Sequence, residues 1–136
     1  MIAIDTNIWI YSHDSRDPAK QSTAISLIAT ARPMSLPWQV GCEFVAASRK
    51  LGPAGFSAED AWKALEAMQV MAHSVVLPIP DDWSQASILM QTHSLSLWDA
   101  LLLACCLRAQ VTTLYSEDMA HGTRIEGMTI VNPFLT

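Results

Sequence analysis

Short apolar segments alternate with helical segments along most of this chain, and this order constrains the fold more than any other feature. The apolar segments are continuous rather than alternating with polar residues, which is typical of strands buried on both faces of a parallel sheet. The sequence therefore predicts an α/β fold with a central parallel sheet covered on both faces by helices. The predicted strands span residues 1–5, 34–36, 74–77, 111–115 and 128–131.

Capping residues mark where several predicted helices begin. Asp17 can cap a helix that has Pro18 at its first position, and Ser57 precedes a first turn that carries Glu59 and Asp60. Pro80 and Ser96 start two further helices. The predicted helices cover residues 18–32, 40–50, 58–72, 81–93 and 97–108, with an inter-helix loop at 51–56.

The size and composition predict a single domain over residues 1–136. The chain is 51% hydrophobic but only 15% charged, so either the core is unusually well buried or a partner covers apolar surface. No apolar run approaches the ~20 residues that span a bilayer, which predicts a protein without a membrane segment. Three cysteines, Cys42, Cys105 and Cys106, lie in apolar stretches without zinc-ligand spacing, so structural thiols in a reducing cytoplasm are expected.

The net charge of −5 argues against simple electrostatic attraction to nucleic acid. A nucleic-acid function would require something to offset the carboxylates of this chain. Bound divalent cations are the obvious candidates.

Four acidic residues stand in unusual places. Asp5 directly follows the first predicted strand, and Asp118 lies three residues beyond the strand at 111–115. In parallel α/β sheets, binding and catalysis gather at the carboxyl ends of strands. Glu43 and Asp99 are isolated in almost wholly apolar helical stretches, where a carboxylate is costly unless it is paired, hydrogen-bonded or bound to a metal.

Each acid also has a purely structural interpretation. Asp5 could cap the segment that follows it, and Asp99 could belong to a capping box with Ser96. Asp118 could lie in a polar loop, and Glu43 could satisfy a buried amide or arginine. One shared cause nevertheless explains all four positions better, namely a set of hard oxygen ligands for Mg²⁺ or Mn²⁺.

The ordered set of these motifs resembles the PIN domain. The matching stretches are Asp5-Thr-Asn, Glu43 in its helix, Trp98-Asp-Ala-Leu-Leu-Leu-Ala and Leu114-Tyr-Ser-Glu-Asp118. At this length the chain is similar to the VapC-type toxins of prokaryotic toxin–antitoxin modules, and its tail, Thr129-Ile-Val-Asn-Pro-Phe134, resembles their closing strand. One departure is Met119-Ala-His-Gly122, where many members carry an aromatic residue.

The resemblance implies a three-layer α/β/α fold, a metal-dependent endoribonuclease neutralised by a cognate antitoxin, and a homodimer. It implies that Asp5, Glu43, Asp99 and Asp118 are catalytic metal ligands for Mg²⁺ or Mn²⁺, with supporting roles for Thr6, Asn7 and Ser116.

Other functions are less compatible with the sequence. A haloacid-dehalogenase-like phosphatase needs a second Asp where Asn7 stands and a later lysine, yet the last lysine is Lys63. A phospho-receiver domain fails for the same reasons. Two alternatives stay open: a PIN-fold interaction module with little turnover, and a PIN nuclease that works outside a toxin module.

Overall fold

The computed structural model describes residues 1–135, so Thr136, at the end of the predicted domain, lies outside the described residues. The strands are β1 (Ile2–Ile4), β2 (Ser35–Pro37), β3 (Ser74–Val76), β4 (Thr113–Tyr115), β5 (Arg124–Ile125) and β6 (Met128–Val131). The α-helices are α1 (Thr6–Tyr11), α2 (Pro18–Thr30), α3 (Trp38–Ala47), α4 (Ala58–Met71), α5 (Asp81–Thr92) and α6 (Leu97–Arg108), and a 3₁₀ helix, Ser48–Ala54, follows α3.

The main sheet is mostly parallel, in the order β1-β4-β6-β5. The strands β1, β4 and β6 run parallel, whereas β5 pairs antiparallel with β6. A second parallel pair, β2-β3, is joined to β1 through a parallel bridge between Ile2 and Met34. The predicted three-layer α/β/α fold with a central parallel sheet is therefore confirmed, with an antiparallel edge strand as a correction.

The predicted capping residues do start their helices. The Asp17 carboxylate accepts a hydrogen bond from the backbone N–H of Lys20, with Pro18 at the first helical position. Ser57 and Asp60 form a reciprocal capping box at α4. These bonds satisfy backbone donors that the first helical turn leaves free, so they fix where each helix begins.

Three short features were not predicted. The six-residue helix α1 follows Asp5 directly, and it is too short to show a helical hydrophobic period. The loop predicted at 51–56 is mostly 3₁₀ helix, which ends at Gly55 in the left-handed region (φ 87°) that glycine adopts without strain. The strand β5 has two residues and depends on pairing with β6.

The register of the sheet brings two chain segments to the same edge. Ile4, Tyr115 and Val131 are aligned across β1, β4 and β6, so the three strands end level. The backbone N–H of Asp5 donates to the Tyr115 carbonyl at 2.9 Å, and that of Ser116 donates to the Val131 carbonyl at 3.0 Å. The residues that follow β1 and β4 are therefore held side by side at the carboxyl end of the sheet.

Within residues 1–135, no single helix is long and apolar enough to cross a membrane. The pair α5 and α6 meets that test of length and composition only when taken together across a bend of 117°.

Candidate active site

Asp5 is the most deeply buried of the four acids, with 6% of its surface exposed. One carboxylate oxygen caps α1 by accepting the backbone N–H of Thr6 at 2.8 Å. The other accepts the hydroxyl of Ser116 at 2.8 Å, which links the end of β1 to the end of β4. The capping interpretation is thus correct, and it leaves Asp5 free to serve a site as well.

The pKa of Asp5 is raised to about 6. Burial is the main cause, because it disfavours the charged form, and the negative charges of Asp118 and Glu43 raise it further. The hydrogen bonds from Ser116 and Thr6 oppose this shift without cancelling it. A bound cation would stabilise the charged form of a carboxylate that is buried next to like charges.

Glu43 is half-buried on α3, and both of its carboxylate oxygens accept hydrogen bonds. The Thr6 hydroxyl donates to Oε2 at 2.9 Å, and the side-chain amide of Gln39 donates to Oε1 at 2.8 Å. The Thr6 bond joins Glu43 to the segment directly after Asp5, so α1 and α3 meet at this point.

Asp99 lies half-buried in the first turn of α6, whose N-cap Ser96 accepts the backbone N–H of Asp99 at 3.1 Å. Its pKa is raised, first by burial and then by the charges of Asp118 and Glu43. Of the predicted capping box, the structure shows the half in which Ser96 accepts. The first turn of α6 therefore carries both the helix cap and an acid of the cluster.

Asp118 is exposed and follows β4 by three residues. Its carboxylate accepts the side-chain amide of Asn7 at 2.7 Å, and its backbone N–H donates to the Ser116 hydroxyl at 3.2 Å. Ser116 therefore contacts both Asp5 and Asp118. The three predicted supporting residues, Thr6, Asn7 and Ser116, each bond to one or more of the four acids.

The four acids form one electrostatic cluster without a protein cation. Asp5 and Asp99 are each destabilised in their charged forms by both Asp118 and Glu43. In residues 1–135, the ion pairs involve other acids: Arg16–Asp14, Lys20–Glu117, Lys63–Glu59 and Arg108–Asp82. Carboxylate oxygens that lack a counter-charge are the donor set preferred by Mg²⁺ and Mn²⁺, so the residues fit such an ion.

The carboxylates are not drawn tightly around a single point. Over the described range 1–135, no three His, Cys, Asp or Glu side chains are grouped closely enough to chelate one ion. Glu43 and Asp118 are instead engaged by hydrogen bonds from Thr6 and Asn7. Coordination by several acids at once would require rotation of side chains, above all that of the exposed Asp118.

The sequence analysis missed one polar residue at the cluster, Gln39. Its amide nitrogen also donates to the Trp98 carbonyl at 3.0 Å, so it connects α3 to the first turn of α6. The signal that could have identified it is spacing, because Gln39 lies four residues before Glu43 and on the same helix face.

Two acids outside the cluster are ion-paired. Asp82 is buried and accepts two hydrogen bonds from Arg108, at 2.9 Å each. Glu117 accepts a hydrogen bond from Tyr11 at 2.7 Å and pairs with Lys20. Both ion pairs join residues that are remote in sequence.

An apolar groove of about 700 Å³ borders the cluster at Glu43. Three tryptophans line it, Trp38, Trp83 and Trp98, with 52%, 70% and 65% of their surfaces exposed. A second groove of about 500 Å³ continues past Trp38 along α3 and α4. This is more exposed aromatic surface than a small monomer usually presents to water.

Several solved structures share this fold. VapC20 of Mycobacterium tuberculosis, described as a toxin that cleaves the sarcin–ricin loop, is 22% identical with a TM-score of 0.66, over 87% of this chain and 90% of that chain. A toxin–antitoxin complex from Klebsiella pneumoniae is 19% identical with a TM-score of 0.69, over 98% of both chains. VapBC2 of Rickettsia felis, bound to a DNA fragment from its promoter, is 14% identical with a TM-score of 0.65, over 96% and 97%.

At these identities the structural likeness establishes the fold alone. No curated protein sequence matches the chain significantly. A sequence profile of the PIN domain matches residues 2–121, which contain all four acids of the cluster. The chain belongs to the PIN domain family.

Proposed function

We propose that this PIN domain is a divalent-metal-dependent endoribonuclease that acts as the toxin of a toxin–antitoxin pair. The observation that carries the proposal is the cluster of Asp5, Glu43, Asp99 and Asp118, which are electrostatically coupled and form no ion pair within residues 1–135. Structural likeness to VapC20, a toxin that cleaves RNA at the sarcin–ricin loop, supports the same reaction class.

The four carboxylates would hold the metal ion, Mg²⁺ or Mn²⁺. When bound, such an ion supplies positive charge for the phosphate and lowers the pKa of a water nucleophile. Hydrolysis adds water across the P–O3′ bond, so the expected products are a 5′-phosphate and a 3′-hydroxyl. No serine or cysteine nucleophile is required.

The residues around the cluster hold some of the acids more firmly than others. Asp5 is held by Ser116 and the Thr6 backbone, and Glu43 is held by donors on both oxygens, so these two acids are preorganised. Asp118 is exposed and bonded only to Asn7 through its side chain, so it can move most readily. We infer that Asp5 and Glu43 define the site and that Asp118 closes it or helps to hold a second ion.

The test measures cleavage of a broad RNA pool by the purified chain in three conditions: with Mg²⁺, with Mn²⁺ and with a chelator. The variants Asp5→Asn and Glu43→Gln are assayed in the same way. We expect metal-dependent cleavage and a loss in both variants that exceeds the ~10- to 100-fold cost of removing a residue that merely supports a metal ligand. Glu66→Gln is the matched control, because it removes one charge from an exposed position on α4. Cleavage that persists in the chelator, or in both active-site variants, would refute the proposal.

The toxin role also requires a partner. Solved relatives of this fold include a toxin–antitoxin complex and the VapBC pairs of Rickettsia felis and Haemophilus influenzae. The exposed tryptophans and the two grooves offer apolar surface for such an antitoxin or for a second copy of the chain. We propose both an antitoxin complex and a homodimer, and light scattering of the chain alone and after co-expression with its neighbouring gene product tests them.

We further propose that the protein acts in the cytoplasm. Its three cysteines are free thiols, and Cys105 and Cys106 are buried. Burial raises the pKa of the Cys105 thiol to about 11, which keeps it in the unreactive form. This chemistry is compatible with a reducing compartment that contains RNA.

A further inference from the structure

We propose that Gln39 is a positioning residue that holds two helices of the acidic cluster in register. This inference rests on the proposed function, because it concerns how the cluster is prepared for a divalent ion. Gln39 itself does not need to contact the ion or the RNA.

Gln39 uses both hydrogens of its side-chain amide. One N–H of Gln39 donates to Glu43 Oε1 at 2.8 Å, and the other donates to the Trp98 carbonyl at 3.0 Å. An amide nitrogen has two hydrogens, so its donor capacity is fully spent on these two contacts. The side chain is half-buried, which restricts the alternatives that water could offer.

The two hydrogen bonds of Gln39 connect two acids of the cluster. Trp98 directly precedes Asp99, so the accepting carbonyl belongs to the turn of α6 that carries the third acid of the cluster. Among residues 1–135, this is the only side-chain hydrogen bond between α3 and α6. Gln39 therefore ties the positions of Glu43 and Asp99 to each other.

Within residues 1–135, the Glu43 carboxylate has just one hydrogen-bond donor besides Gln39. Thr6 holds Oε2, and Gln39 holds Oε1, so the loss of Gln39 frees one side of the carboxylate. A charged group surrounded by like charges would then turn away from Asp5, Asp99 and Asp118 toward water. Removal of a residue that orients a metal ligand typically costs roughly 10- to 100-fold in metal affinity.

The experiment measures Mn²⁺ binding by calorimetry in wild type, Gln39→Met and Gln91→Met. Methionine matches glutamine in length and suits the apolar groove beside Gln39, but it donates no hydrogen bond. Gln91 lies exposed on α5 and bonds only within its own helix, so it is the matched control. We expect the Mn²⁺ dissociation constant to rise about 10-fold or more in Gln39→Met and to stay within about twofold in Gln91→Met.

A role limited to stability would give a different pattern. For a positioning role, the melting temperature in chelator stays near that of wild type, the KM for RNA is unchanged, and saturating Mn²⁺ restores most of the cleavage rate. If Gln39→Met does not fold, Gln39→Asn replaces it, because its shorter amide cannot reach both acceptors and should weaken Mn²⁺ binding in the same direction.

The outcomes separate the two proposals. If wild type binds Mn²⁺ and the folded Gln39 variant binds it with the same dissociation constant, the role of Gln39 is overturned. The nuclease proposal is then left intact. A wild-type chain that neither binds Mn²⁺ nor cleaves RNA overturns the nuclease proposal, and the inference fails with it.

Discussion

Replacement of Asp5 by asparagine should stabilise the fold in the presence of a chelator while it removes the proposed activity. The carboxylate of Asp5 is buried beside two like charges, and its pKa is raised from 3.8 to about 6. Asparagine has the same shape and can keep both contacts, by accepting from the Thr6 backbone and donating to the Ser116 hydroxyl. The charge is therefore the main thing that the substitution removes.

The size of the effect follows from the pKa difference between the folded and unfolded chains. A raised pKa means that the folded state binds the proton more tightly, so the associated stability is fully present below about pH 4 and is lost as the pH rises through about 6. A difference of about 2 pH units corresponds to about 3 kcal/mol. Asparagine does not ionise, so it avoids this loss above pH 6.

The assay is thermal unfolding followed by circular dichroism between pH 4 and pH 8, with a chelator present throughout. For a chain of this length, 1 kcal/mol shifts the melting temperature by roughly 3–5 °C. We expect Asp5→Asn to match wild type near pH 4 and to melt about 10 °C higher at pH 8. A difference that does not vary with pH, or a variant that melts below wild type at pH 8, would refute the electrostatic reasoning.

Four further predictions concern the metal and the supporting structure. Free Mn²⁺ at 100 times its dissociation constant should stabilise wild type by about 2.7 kcal/mol but should leave Asp5→Asn unchanged, as seen by melting temperature. Arg108→Met should cost about 2–3 kcal/mol in urea unfolding because it leaves Asp82 buried and unpaired. Arg16→Met, at an exposed pair, should cost less than about 1 kcal/mol in the same assay. Ser57→Ala should cost about 1 kcal/mol through loss of the α4 cap, with RNA cleavage unchanged.

Features fixed by local chemistry could be predicted from the sequence. The helix starts at Asp17, Ser57 and Ser96 depend on a side chain and a backbone N–H three residues later, and all three were located correctly. The parallel sheet was predicted from continuous apolar segments, and its order was left open. The helix α1 and the strand β5 were missed because six and two residues carry no periodic signal.

Features that depend on remote partners could not be predicted. Asp82 and Glu117 pair with Arg108 and Lys20, which lie 26 and 97 residues away from them. No local pattern announces such a pair. The four acids of the cluster were found for the opposite reason, since an isolated carboxylate in an apolar context signals an unmet electrostatic demand without any knowledge of its partner.

That demand links the stability of the domain to its proposed chemistry. Four of the eight Lys and Arg residues pair with acids outside the cluster, and no ion pair in residues 1–135 includes Asp5, Glu43, Asp99 or Asp118. A lysine or arginine within the cluster would relieve the repulsion between the acids. It would also occupy the carboxylates that we propose as metal ligands, and its positive charge would repel a metal ion from the site. The buried charge lowers the stability of the folded chain, and a bound cation should offset that loss. We therefore expect the arrangement that weakens the domain in a chelator to be the one that favours binding of a divalent ion.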